Sequence, residues 1–328
     1  MGLITRLRSI DLSAADPSAL LDFYERTWGL RRVAVTDDGA VQLRARGAEH
    51  HVLTLTPGVG HSLERIALAA ADPAAVDAVA ARVRAAGHTV TDGPGPRTAP
   101  GGGYAVAFRD PEGRLVEVSC GLTEHTDGPP GETGDEATEA GGAGGAGGGQ
   151  GVEGGEGAAP HAYGPDRLSH IVLNSVDLPA SKSFYTEVLG FQVSDWYEND
   201  QMVFLRCNEL HHCIVLAPGR WTSLNHVAFE VASADEVMRA LGRMRAAGFD
   251  TVWGPGRHGP GGNVFCYFTD PVGNVIEYTA ELLEVDDTWE ARSWERTPEN
   301  ADVWGTSGGI TPDVIAAMSN PPRTESGR

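Results

Sequence analysis

The chain is 328 residues long, 41% apolar and 21% charged, which at roughly 150 residues per domain implies about two globular domains, each able to bury a core. Its 25 basic residues against 45 acidic ones leave a net charge of −20. Such a surface repels phosphate backbones and anionic lipid, so neither nucleic acid nor membrane is an expected partner. No run of 18 apolar residues exists to span a bilayer, and the opening MGLITRLRSIDLSAAD lacks the apolar stretch of a secretory leader, so the cytoplasm is the expected compartment. Cys120, Cys207, Cys213 and Cys266 form no CxxC pair and read as reduced, buried thiols.

Taken in order, residues 1–122 form a first block of alternating periodicity. Residues 123–164 follow, rich in Gly and acidic residues with almost nothing apolar, and read as a flexible linker. The second block, 165–283, opens with the strand LSHIVLNSV and the helix DLPASKSFYTEVLG, with Asp177 as N-cap and Gly190 just past the C-terminus. Strands are expected at 191–197, 201–207, 211–217 and 224–231, a helix at 233–247 closed by Gly248, and strands at 249–253, 263–269 and 274–280. The tail, 284–328, carries Trp289, Trp294 and Trp304, more aromatic surface than a disordered segment spends, and is expected to wrap over its own domain or a neighbouring subunit, with the site entrance as one place for it to cover; the competing reading, equally weighted, is a partly ordered extension without function.

The two blocks are copies. FYERTWGL at 23–30 matches FYTEVLGF at 184–191, HHVLTLTPG at 50–58 matches HHCIVLAPG at 211–219, and AAGHTVTDGPG at 85–95 matches AAGFDTVWGPG at 246–256, all offset by 161. DPEGRLVEV at 110–118 matches DPVGNVIEY at 270–278, offset by 160. A repeat of this kind marks one supersecondary unit used again. The fold class is α+β: tandem βαβββ modules, two per domain, forming two similar curved-sheet, barrel-like domains.

Polar residues that interrupt the apolar strands differ between the copies. His170 stands opposite Ser9, His226 opposite Arg65, and Glu277 opposite Glu117. Two neutral imidazoles and one carboxylate make the facial triad that leaves three adjacent positions open on an Fe(II)-type ion. The ligands are 56 and 51 residues apart, about one module each, so they fall on corresponding strands. Any one of them alone is more often an ordinary polar strand residue. The joint pattern, with two members missing from the sister copy, points to metal.

With these residues in view, the second block resembles the catalytic domain of two-domain type I extradiol (catechol 2,3-type) dioxygenases, in the vicinal oxygen chelate superfamily, over about 5–122 and 165–282. The resemblance implies that the first block has the same fold and no metal. It implies that His212 in NELHHCIVL is the acid/base, and that His258 and Tyr267 in GPGRHGPGGNVFCYF hydrogen-bond the substrate or dioxygen. Trp253, His211 and Asn263 are expected to contact the substrate, with a structural role as the alternative for His211. The expected cofactor is Fe(II), with Mn(II) as the alternative on the same ligands. The partners are a catecholic small molecule and O2, in a homo-oligomer devoted to aromatic compound catabolism. Family members acting on anionic catechols often carry Arg immediately before GPGRH. Trp253 stands there in this chain, which implies a neutral, alkyl- or aryl-substituted catechol; Arg257 is the residue that argues the other way. The competing readings are another metal-dependent member of the superfamily, either a hydroquinone dioxygenase or a glyoxalase-type isomerase, and a protein that only binds an aromatic ligand.

Overall fold

Helix starts in this chain are written by acidic and hydroxyl side chains. Asp16, Asp72, Asp177 and Ser233 accept hydrogen bonds from the backbone N–H of Ser18, Ala75, Ala180 and Glu236, opening α1 (Pro17–Asp22), α2 (Pro73–Ala85), α3 (Leu178–Ser183) and α4 (Ala234–Ala246). α1 and α3 each continue into a turn of wider π-helix, Phe23–Trp28 and Phe184–Val188. The computed structural model describes residues 2–58, 61–126 and 163–321; most of the expected linker, 127–162, lies outside the described residues.

The first sheet contains β1 (Ile4–Ala14), β2 (Arg31–Val35), β3 (Val41–Arg44), β4 (Leu53–Pro57), β5 (His61–Ala70), β6 (Val90–Pro96), β7 (Tyr104–Arg109) and β8 (Leu115–Cys120), in the order β2-β3-β4-β1-β5-β8-β7-β6. The second repeats it with β9 (Arg167–Ser175), β10 (Gln192–Tyr197), β11 (Met202–Arg206), β12 (Ile214–Pro218), β13 (Ser223–Glu230), β14 (Trp253–Arg257), β15 (Val264–Thr269) and β16 (Val275–Ala280), and gains β17 (Arg292–Trp294) beside β10. Each is two four-stranded modules joined by an antiparallel pair, β1 with β5 and β9 with β13. Both sheets are open among the described residues, with β2 and β6 at the ends of one and β14 and β17 at the ends of the other, so neither closes into a barrel.

Two strands depart from the expected positions. The segment 249–252 is irregular, and the strand is the Gly- and Pro-containing Trp253–Arg257 instead. Pro255 is tolerated there because β14 is an edge strand with a bulge between Trp253 and Gly256, where a missing N–H costs no ladder bond. β12 begins at Ile214 rather than 211, because the His211 N–H leaves the sheet to donate to the Leu283 carbonyl where the tail begins.

The repeated FY and DP motifs tie the copies together reciprocally. Tyr24 donates its hydroxyl to Asp270 (3.1 Å) and Tyr185 donates to Asp110 (3.3 Å), so the tyrosine of each unit reaches the turn of the other. Trp28 stacks on Tyr278 at 3.7 Å between ring centroids, and the Tyr278 hydroxyl donates to the Trp28 carbonyl. A single apolar core runs through both units.

Candidate metal centre and substrate cavity

β16, β13 and β9 are neighbours in the sheet, and Glu277 and His170 both stand opposite Ala228. His226 lies two residues before Ala228, on the same face of the strand. The register therefore converges three donors over a methyl-sized side chain. Glu277 Oε2 lies 3.3 Å from His170 Nε2 and 3.4 Å from His226 Nε2, all three side chains buried. These donor atoms fall within 4.8 Å of one another, and the triad is the only such group of three or more found among the described residues.

The donor set fits a divalent first-row ion. Glu277 Oε2 and His226 Nε2 are buried without a hydrogen-bond partner, an arrangement that is costly unless a cation sits between them. The other atoms of the ligands are already engaged. His226 Nδ1 donates to Asn225 Oδ1 (2.9 Å), and His170 Nδ1 lies 3.2 Å from Ser169 Oγ. Asn263 Nδ2 donates to Glu277 Oε1 (3.4 Å) and to Thr279 Oγ1 (2.8 Å). Such outer partners fix the imidazole tautomer so that Nε2 presents its lone pair to the metal. Burial lowers the pKa of His226, against the pull of Glu277, and so keeps the ring neutral. Burial raises the Glu277 carboxyl, but His170 and His226 outweigh it and hold the group ionised. His170, His226 and Glu277 thus form a site for Fe(II) or Mn(II).

The sister copy fills the same place with protein charge. Arg65 bridges Asp11 (2.7 Å) and Glu117 (3.2 Å), so a guanidinium neutralises the carboxylates there.

A cavity of about 790 Å³ opens over the triad, with His170, His226, His212, His258, Tyr267 and Trp253 on its polar side. Val172, Tyr197, Met202, Phe204, Val215 and Ala217 line the rest of its floor. His212 is buried, its ring centroid 4.5 Å from that of His170. Burial, then His170 and His211, press its pKa well below the usual histidine value. His258 donates from Nδ1 to the Ala301 carbonyl (2.8 Å), so in its neutral form Nε2 accepts from the Tyr267 hydroxyl at 3.0 Å. Burial lowers His258 to about 4, and burial followed by Glu277 pushes Tyr267 well above the usual phenol value. Trp253 stacks on Tyr267 (5.3 Å, 19°).

Two expected substrate contacts lie elsewhere. Asn263 is fully buried behind the triad, holding Glu277 and Thr279, and His211 is fully buried against Asp195 (3.1 Å); neither is on the cavity wall. The tail, whose individual contacts the sequence did not name, supplies part of the cavity lining. Arg296, Thr297, Pro298, Ala301, Ile310, Ile315, Met318 and Ser319 roof the cavity, the last three from α6 (Pro312–Ser319). Between the strand and α6 lies α5 (Pro298–Ala301). The tail docks where glycine leaves room: a Cβ on Gly256 would meet Asp302 Oδ1 at 2.7 Å, and one on Gly259 would meet the Asn300 carbonyl at 2.7 Å. Asn225, which orients His226, was also missed; its signal is a second polar residue beside a candidate ligand in LNHVAFEV.

Residues 6–118 and 167–278 each match the family model for the Glyoxalase/Bleomycin resistance protein/Dioxygenase superfamily. The chain belongs to this superfamily. Among its members, biphenyl-2,3-diol 1,2-dioxygenase of Metapseudomonas furukawaii is 29% identical over 301 residues, 87% of this chain and 89% of that protein. Metapyrocatechase 2 of Cupriavidus necator is 33% identical over 131 residues, 39% of this chain; the chain spans only 41% of that relative. In structure, the Mn(II)-bound glyoxalase from Novosphingobium aromaticivorans matches with a TM-score of 0.82 at 36% identity, covering 99% of this chain and 97% of that one. No helix among the described residues of this superfamily member is long and apolar enough to cross a membrane.

Proposed function

We propose that the protein is an extradiol ring-cleaving dioxygenase that inserts both atoms of O2 into a catechol bearing an apolar alkyl or aryl substituent, giving a muconic semialdehyde-type product. The observation that carries this reading is the buried His170–His226–Glu277 triad opening onto a large cavity, with His212 and a Tyr267–His258 pair beside it. Fe(II) or Mn(II) held by His170, His226 and Glu277 would bind the catechol oxygens and dioxygen and let electron density pass between them. His212 takes and returns protons at the nitrogen facing the cavity, a task suited to imidazole. Tyr267 keeps its proton through its high pKa and, released from His258 Nε2, donates a hydrogen bond to charge developing on oxygen. The walls from Val172 to Ala217 and the tail's Ile310, Ile315 and Met318 exclude water and seat the apolar substituent. The cavity of about 790 Å³ exceeds what a single unsubstituted ring fills.

The whole-chain likeness to a Mn(II)-bound glyoxalase supports a second reading, an isomerase on the same ligands. Oxygen separates the two, because an isomerase consumes none. The substrate preference is tested by specificity constants. 3-Methylcatechol or 2,3-dihydroxybiphenyl should exceed protocatechuate- and homoprotocatechuate-like acids, and the opposite order would overturn the assignment to a neutral catechol.

A further inference from the structure

Asp195 is a fully buried carboxylate on β10, outside the cavity, that the chemistry so far leaves unused. Its Oδ2 lies 3.1 Å from His211 Nε2, and His211 Nδ1 lies 3.0 Å from His212 Nδ1. The tail holds the carboxylate from the other side: Trp294 Nε1 donates to Oδ2 (2.7 Å) and the Arg292 N–H donates to Oδ1 (3.1 Å). We propose that Asp195 is a positioning residue which, through His211, sets the tautomer of His212 so that its Nε2 faces the cavity as a bare lone pair. The inference rests on the reading of His212 as the acid/base.

An ionised carboxylate only accepts, so His211 carries a hydrogen on Nε2, the nitrogen that faces it, even though that nitrogen and Oδ2 are not aligned as a full hydrogen bond. His211 Nδ1 is then an acceptor, and at 3.0 Å the facing His212 Nδ1 must carry the hydrogen. His212 Nε2 is left unprotonated. Burial would raise the Asp195 carboxyl, but the close approach of His211 and the hydrogen bond from Trp294 outweigh it and keep the group ionised.

The sister copy supplies a control within the same chain. His50 and His51 keep the Nδ1-to-Nδ1 contact at 3.0 Å, yet Ala34 stands at the position equivalent to Asp195 and, among the described residues, β2 ends its sheet with no strand like β17 beside it. The histidine pair is common to both copies, whereas the carboxylate and the tail strand belong to the half that carries the triad.

The test reads the His212 ring directly. In metal-free, 15N-histidine-labelled full-length protein, with His212 assigned by difference from His212→Phe, the wild type should show Nδ1–H and a bare Nε2. Asp195→Asn should move His212 toward the Nε2–H form. In the Fe(II)-loaded enzyme the same change should lower kcat by about 10²-fold or more, with KM and bound iron unchanged, since a wrong tautomer disables a general base. Trp294→Phe, which removes only the indole donor, should shift the tautomer in the same direction by less, and it decides the matter if Asp195→Asn does not fold. An unchanged His212 tautomer in these variants overturns the proposal. Because the nitrogen shifts need no turnover, a protein that cleaves no catechol would contradict the proposed activity and leave this readout decisive.

Discussion

At the scale of single residues, the account separates groups that hold metal from groups that act beside it. His170→Ala or Glu277→Ala should abolish stoichiometric metal binding, measured by elemental analysis, because each removes one of three ligands and strands the other two. His212→Phe should keep metal while turnover drops by about 10²–10⁴; loss of metal from that variant would mean that His212 is itself a ligand. Gly261 makes a sharper test of what holds the His212 ring in place. It sits at φ +76°, and a Cβ there would meet His212 Cε1 at 2.9 Å. Gly261→Ala should therefore cost about 1–2 kcal/mol of stability in urea denaturation through its left-handed backbone, and lower kcat with iron retained. The triad was legible in the sequence because a repeat supplies its own comparison: Ser9 and Arg65 show what these positions hold when no metal is needed. His211 and Asn263 were misplaced for the converse reason. Both are polar neighbours of the site, and nothing in a one-dimensional pattern tells a residue that faces the substrate from one that faces the back of a ligand.

At the scale of elements, the tail decides the shape of the cavity. Its strand β17 pairs with β10, Asp302 accepts from the Arg257 backbone N–H (3.1 Å), and the carbonyls of Met318 and Ser319 take hydrogen bonds from Asn174, Trp221 and Ser223. A chain ending at Gly309 lacks α6 and should raise KM for an apolar-substituted catechol about tenfold, equivalent to about 1.4 kcal/mol of lost burial. Iron content should stay unchanged, because no ligand lies in the tail. An unaltered KM would show that α6 does not line the bound state. The tryptophans announced that the tail packs somewhere. Where it packs depends on Gly256 and Gly259, whose missing side chains make room for Asn300 and Asp302, and such a relation between distant segments leaves no local signal. The strand misplaced at 249–253 has a related cause: Gly and Pro read as turn residues wherever the pattern does not reveal that a strand lies at a sheet edge.

At the scale of the whole molecule, the two copies share a core and exchange their Tyr24–Asp270 and Tyr185–Asp110 contacts, so they should unfold in a single urea transition. Tyr24→Phe and Tyr185→Phe should each shift that one transition by about 1–3 kcal/mol, the cost of depriving a buried carboxylate of a donor; two separate transitions would contradict a common core. Acid should weaken the metal-free protein through histidines buried in the neutral form. Burial lowers His51 to about 3 and His258 to about 4, below the unfolded value of about 6.5. The unfolded chain then takes up protons first, so stability contributed by these groups is intact above about pH 6.5 and declines as pH falls towards their folded values. Each contributes a slope of about 1.4 kcal/mol per pH unit within that window. Replacing His51 by Phe should flatten the pH dependence by about one proton, and an unchanged slope would place a charged imidazole in the folded state. The measurement that bears most directly on the central claim is oxygen uptake by anaerobically purified, Fe(II)-loaded protein across a panel of catechols. One O2 consumed per catechol, with a yellow ring-fission product and preference for apolar substituents, is the predicted result. Bound metal without oxygen uptake on any catechol would contradict ring cleavage and move the triad to the isomerase chemistry of its superfamily.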